Sequence, residues 1–259
     1  MPVKVDASGR RSVQAEAEVP GTPEEVWQAI ATGPGISSWF VPTEIQANKD
    51  GIPEKLICHF GPGTSMDSVA QVTSWDPPHR FTTDSRDDMA PGDPTVATEW
   101  VIEARSGGTC LVRVVHSWFT SSDKWDNQYE GTEHGWVAFF RILRLYLMHF
   151  PGQAGSSLQF MGFTSPPVPR AWEALTTPLG LSGAAEGQHV ETPAATPRLA
   201  GQVERVGLPE HPELLLRLEK PAPGIAHFFA MEMGGSVCIP ARLYLFGSQA
   251  PATAAREEP

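Results

Sequence analysis

Hydrophobic and polar positions change period several times along the chain, and each change predicts an element. Residues 12–19 alternate as a half-buried strand does, and Pro20-Gly21 ends the run. Thr22 then reads as a helix N-cap, with Pro23 in the first helical position and Glu24 and Glu25 in the first turn. That helix, over about 22–32, turns Val26, Trp27 and Ile30 inward, and Gly33-Pro34-Gly35 is expected to stop it before a short second helix to about Phe40. Strand-like runs follow near 41–47, 55–60, 66–75, 79–84, 95–105 and 109–119, separated by Gly, Pro and Asp turns. The acidic, Pro-rich stretch 84–94 is expected to be a loop that moves. From Asp123 to about Phe150 the period becomes three and four. Trp125, Tyr129, Thr132, Trp136, Phe140, Leu143 and Leu147 share one face of a long helix that Pro151-Gly152 closes.

The chain also repeats itself. Ser12-Val13-Gln14 recurs as Ser157-Leu158-Gln159, and the same shift of 145 carries Trp27 onto Trp172, Ala29 onto Ala174, Gly35 onto Gly180 and Ser37 onto Ser182. Further on, Gln71-Val72 corresponds to Gln202-Val203, and Gly107-Gly108 to Gly234-Gly235. An ordered series of this kind reads as a degenerate tandem duplication. The expected organisation is an N-terminal tail over 1–10, a complete domain over 11–152, a degenerate second half over 153–247 and a disordered tail over 248–259. The second copy stops after a strand at 236–246, without the long helix, and its Gly-, Ala- and Pro-rich middle (182–198) suggests a loop where the first copy has strands.

Composition narrows the function without choosing it. A hydrophobic share of 41% with eight Trp and twelve Phe in 259 residues suits an aromatic-rich core. No apolar run is long enough to cross a membrane, and the N-terminus MPVKVDASGRR has no apolar leader, so the cytoplasm is the default expectation. A net charge of −11 argues against a sequence-independent grip on nucleic acid and against an anionic membrane surface. Three scattered cysteines, Cys58, Cys110 and Cys238, read as buried free thiols and not as a disulfide framework.

Residues 11–152 resemble the START-like (SRPBCC) superfamily, in the branch named for the activator of the heat-shock-chaperone ATPase. The resemblance is carried by Pro23-Glu24-Glu25-Val26-Trp27 with Gly35-Ile36-Ser37-Ser38-Trp39-Phe40, and by Glu133-His134-Gly135-Trp136 followed by Phe139-Phe140, Leu143-Arg144-Leu145-Tyr146-Leu147 and His149-Phe150-Pro151-Gly152. It implies an α+β helix-grip fold: a curved antiparallel sheet wrapped on the long C-terminal helix, followed by a degenerate copy lacking that helix. Members of that superfamily bind lipids, hormones or polyketides, cyclise aromatic polyketides or regulate partners, so the fold alone assigns no role.

Alternation predicts which side chains line the space between sheet and helix. On 109–119, Arg113 faces out, leaving Val112, Val114, His116 and Trp118 inward; on 95–105, Glu99 and Glu103 face out, leaving Thr98, Trp100 and Ile102 inward. Opposite lie Tyr129, Trp136, Phe140, Leu143 and Leu147. This wall of rings suits an apolar or aromatic small molecule, or it is simply a dry core. His116 needs a partner among the indoles: a ligand group, a catalytic proton transfer, a backbone carbonyl or the Tyr129 hydroxyl would each serve. His134 falls on the far side of the helix as a surface or interface residue, and the facing of His59 is open.

G-x-S-x-G, Walker, G-x-G-x-x-G, H-E-x-x-H and paired C-x-x-C motifs are absent, so no metal and no cofactor are expected and an enzyme is the weaker reading. The leading expectation is a carrier or sensor of an apolar small molecule. The alternatives are a polyketide aromatase/cyclase-like enzyme using His116 and Tyr129, and a regulator of a chaperone ATPase. A second sheet without its gripping helix needs a cover: the first copy, the segment 182–198, or a second chain in a homodimer.

Overall fold

The period-two runs of the first half build one antiparallel sheet. The computed structural model describes residues 3–61, 67–85, 95–119, 126–165, 167–233 and 235–257, without the side chains of 119, 126–134 and 256–257. The chain divides into two units, Met1–Gly152 and Gln153–Pro259. Residues 86–94 of the acidic loop, with Trp125 and the side chains of Tyr129, Thr132 and His134, lie outside the described residues.

The first unit runs β1 (Lys4–Val5), β2 (Arg10–Pro20), α1 (Pro23–Ile30), α2 (Gly33–Ser37), β3 (Thr43–Ala47), β4 (Pro53–His59), β5 (Asp67–Asp76), β6 (Arg80–Ser85), β7 (Val96–Arg105), β8 (Thr109–Phe119) and α3 (Asp126–His149). The strands form one sheet in the order β1-β2-β8-β7-β6-β5-β4-β3. Residues 1–10 are therefore not all tail, because Lys4 and Val5 pair with Ser12 and Arg11. At the start of α1 the Thr22 side chain accepts from the Glu25 amide (3.3 Å) and the Glu25 carboxylate accepts from the Thr22 amide (2.8 Å), a reciprocal capping box.

The two predicted helices are present: α1 ends at Ile30, and Gly33-Pro34-Gly35, which stops it, also opens α2. Thr32 caps α2, accepting from the Gly35 amide at 3.1 Å, and Pro34 sits in the first turn, where a missing N–H costs nothing. A Cβ on Gly35 would lie 1.9 Å from the Gln28 carbonyl oxygen, so only glycine lets α2 fold back so closely on α1. The Trp39 indole then donates to the Ala29 carbonyl at 2.9 Å and ties the two helices together. At its far end α3 is held to the sheet by Arg144, whose guanidinium donates to the Glu18 carbonyl at 3.0 Å.

The second unit runs β9 (Ser156–Thr164), α4 (Val168–Thr176), β10 (His189–Glu191), β11 (Ala200–Leu208), β12 (His211–Lys220), β13 (Gly224–Phe229), β14 (Met231–Met233), β15 (Ser236–Leu245) and α5 (Ala250–Glu257). Its sheet contains the path β9-β15-β13-β12-β11-β10, which matches β2-β8-β7-β6-β5-β4 of the first.

Strand register tests the duplication independently of residue identity. Val13 and Leu158 face His116 and Leu243; the next partners across are Thr98 and Ala226, then Thr83 and Leu216, then Val72 and Val203. The walk ends on the pair that the match of Gln71-Val72 with Gln202-Val203 requires. The irregularity between Val72 and Ser74 also recurs between Val203 and Arg205. The chain is a tandem helix-grip repeat whose second copy has the 8-residue α5 where the first has the 24-residue α3.

The expected disordered tail is instead α5, which supplies part of the missing cover. Ala250 is buried, and Ala254 packs beside it, in a cluster with Leu158, Val203, Leu214, Leu216 and Leu243. Trp172 and Leu175 of α4, with Leu181, Ala184, Val190 and Leu199 from the connecting segment, complete it. The apolar face of the second sheet is thus covered from within its own unit by α4, the segment that follows it and α5, so no second chain is needed for that face.

Candidate ligand site of the first unit

The apolar side chains that alternation turned inward are buried. Trp100, Ile102, Val114, Trp118, Trp136, Phe140, Leu143 and Leu147 are all buried, while Arg113 points away to pair with Glu16 (3.1 Å) and Glu103 (3.2 Å). Of the predicted site residues, only the Tyr129 side chain lies outside the described residues.

The rings meet one another. Phe40 stacks on Trp136 with centroids 5.2 Å apart, and Phe139 meets Phe40 edge-on at 4.4 Å. Trp100 meets Trp136 edge-on at 5.2 Å and Phe140 at 6.1 Å, geometries that aromatic quadrupoles favour. Phe40 and Phe139 were not in the predicted wall. Phe40 was legible as the end of the Trp39-Phe40 pair, but Phe139 is one step off the strict helical stripe, and only the position of α2 brings it into contact.

His116 has both ring nitrogens occupied within the protein. The Trp136 indole N–H points at Nε2 (2.6 Å), and Thr98 Oγ1 lies 2.9 Å from Nδ1. An indole N–H can only donate, so Nε2 must offer its lone pair. The neutral ring then carries its proton on Nδ1 and donates it to Thr98. Burial holds the imidazole neutral, pushing its pKa down to about 4. Neither partner is the carbonyl or the Tyr129 hydroxyl that sequence offered. His116 fastens α3 to β8 with Thr98 of β7 as the anchor. The equivalents in the second unit are Leu243 for His116 and Ala226 for Thr98, both in its apolar cluster. Where the long helix is missing, the polar fastening is missing too.

His59 pairs with Asp67 at 2.8 Å, across the end of β4 and β5. All three cysteines are free and buried, and burial pushes the Cys110 and Cys238 thiols up. Among the described residues no group of three or more His, Cys, Asp or Glu could hold a metal ion, and no helix is long and apolar enough to cross a membrane.

A curved antiparallel sheet with a 24-residue helix held across its inner face makes the first unit a helix-grip domain. Residues 20–148 match the model of the family described as activator of Hsp90 ATPase homolog 1-like protein, and this part of the chain belongs to that family. No curated protein matches the chain.

Among solved structures, the di-domain ARO/CYC BexL from the BE-7585A biosynthetic pathway is similar at 12% identity, with 95% of each chain covered and a TM-score of 0.48. CalU16 from Micromonospora echinospora is similar at 16% identity over 57% of this chain and 83% of its own, with a TM-score of 0.43. The Aha1 dimer from Colwellia psychrerythraea is similar at 18% identity over 52% of this chain and 95% of its own, with a TM-score of 0.40. At these values they bear on no conclusion about the activity of this chain.

Proposed function

We propose that the first unit encloses an apolar, ring-bearing small molecule between its sheet and α3, as a carrier or sensor that does not turn it over. The observation that carries this reading is the state of the wall. Its surface is aromatic and aliphatic, and its one imidazole is spent on Trp136 and Thr98. A ligand finds apolar contact there and, among the described residues, no free acid or base, which weighs against an aromatase/cyclase with His116 moving protons. Because Phe40 and Trp100 each already contact Trp136, the ligand belongs alongside these rings. The cytoplasm as its location belongs to the same proposal.

Titration with a panel of flat polycyclic phenols, followed by tryptophan emission and native mass spectrometry, tests it. The expected result is a saturable emission change that weakens at least tenfold in a folded Val114→Trp variant, whose added ring fills the wall. Unchanged emission across the panel, with only the bare chain mass observed, would refute it.

Regulation of a chaperone ATPase is the second reading, favoured by the family match over 20–148. An ATPase rate unaltered by stoichiometric addition of the chain would exclude it for the chaperone tested.

A further inference from the structure

The second unit has an opening where the first has rings. In the first unit, Trp27 of α1 meets Trp75 of β5 edge-on at 5.0 Å and Phe81 of β6 at 5.8 Å, and Trp75 lies against Phe81 at 5.1 Å. The shift of 145 carries Trp27 onto Trp172. Continuing the register walk past the shared irregularity carries the facing pair Trp75 and Phe81 onto the facing pair Val206 and Leu214. One indole is kept, and two rings have become aliphatic side chains.

A further irregularity between Val206 and Leu208 kinks the hairpin at Gly207. A Cβ on Gly207 would lie 2.4 Å from the His211 carbonyl oxygen, so that kink requires glycine. The result is a cleft of about 300 Å³ lined by Trp172, Val206, Gly207, Leu208, Pro212 and Glu213 among others. That size is at the lower end of small-molecule sites.

We infer that this cleft is a binding site, separate from the first unit, for a neutral bicyclic aromatic group of indole size. The occupant takes the place that the first unit gives to its own Trp75 ring, against the indole of Trp172. The lining is mostly apolar. Glu213, its one charged residue, already has a partner, its carboxylate lying 3.1 Å from His227 Nε2. Leu208 at the hairpin tip is largely exposed and lies at the rim, where an incoming ring would cover it.

Indole itself is the probe, titrated into the isotope-labelled full chain and followed by amide and indole N–H resonances. The expected result is a saturable shift of the Gly207 and Leu208 amides and the Trp172 indole N–H. The Trp100 and Trp136 indole signals, which report the first unit, stay in place. Val206→Trp restores the missing ring and is expected to weaken binding at least tenfold, and Val206→Phe serves the same purpose if the larger ring prevents folding. Absence of saturable shifts in the wild-type protein, or equal affinity in a folded Val206→Trp or Val206→Phe variant, would overturn the inference.

Discussion

Replacing His116 by Leu, the residue that the second unit carries at the equivalent position, isolates the fastening between helix and sheet. The substitution removes two hydrogen bonds and leaves the Trp136 indole N–H buried without an acceptor. An orphaned buried donor of this kind costs about 1–3 kcal/mol, partly offset by the more apolar leucine, so a net loss of about 2 kcal/mol is expected at pH 7. The loss should be coupled to Trp136. In a cycle with Trp136→Phe, the double variant should be about 1 kcal/mol more stable than the sum of the single changes predicts, because the phenyl ring has no N–H to orphan.

The effect also has a pH signature. The folded pKa of His116 is lowered to about 4 from 6.5, so the unfolded chain binds this proton first. The contribution of the group is complete above pH 6.5 and is lost as pH falls toward 4, by about 3 kcal/mol in all. His116→Leu lacks this titration, so its deficit relative to wild type should shrink below pH 6.5, vanish near about pH 5 and reverse toward pH 4. Native-state hydrogen exchange on peptides from 136–149 in the full chain is the suitable assay, since two units need not unfold in one transition. Additive single effects, or a deficit that does not vary between pH 7 and pH 4.5, would refute the proposed tautomer and the fastening role.

Three further outcomes follow from the packing. Thr22→Ala removes half of the capping box and should destabilise the first unit by about 1 kcal/mol, read as faster exchange in α1; no change would mean the cap is idle. Gly35→Ala forces a Cβ against the Gln28 carbonyl oxygen and should cost about 3 kcal/mol, read as a lower melting temperature of the first unit; a neutral result would show that α1 and α2 separate easily. Truncation after Gly247 removes α5 and should raise exchange in β9 and β15 while leaving β7 and β8 unchanged; equal protection with and without α5 would show that it covers nothing.

The parts of this fold that repeat with a fixed period were readable in advance. Runs at 95–105 and 109–119 became β7 and β8 within a residue, because each has one wet and one dry face and register then decides every side chain. The 145-residue shift was also readable, because it preserves Trp27 and Trp172 at the same point of each copy. Elements without such a period escaped. Lys4–Val5 is too short to alternate, and the apolar side chains of α5 are alanines, whose packing against Leu158 and Val203 leaves no large apolar stripe in sequence. At the candidate site, the facing of His116 followed from alternation. Its partners did not, because Thr98 and Trp136 approach it from a neighbouring strand and a later helix.

The order of elements in the first unit has a consequence during synthesis. β2 pairs along its whole length with β8, residues 10–20 with residues 109–119, so this edge of the sheet has no partner until most of the unit has left the ribosome. The helix that shields Trp100 comes later still, ending at His149. At about 5–20 residues per second, the nascent sheet stands with its indoles uncovered for roughly several seconds. The second unit makes most of its cover, α4 and the segment after it, before β11 to β15 are made. Chaperone demand on the ribosome should therefore fall mainly on the first unit.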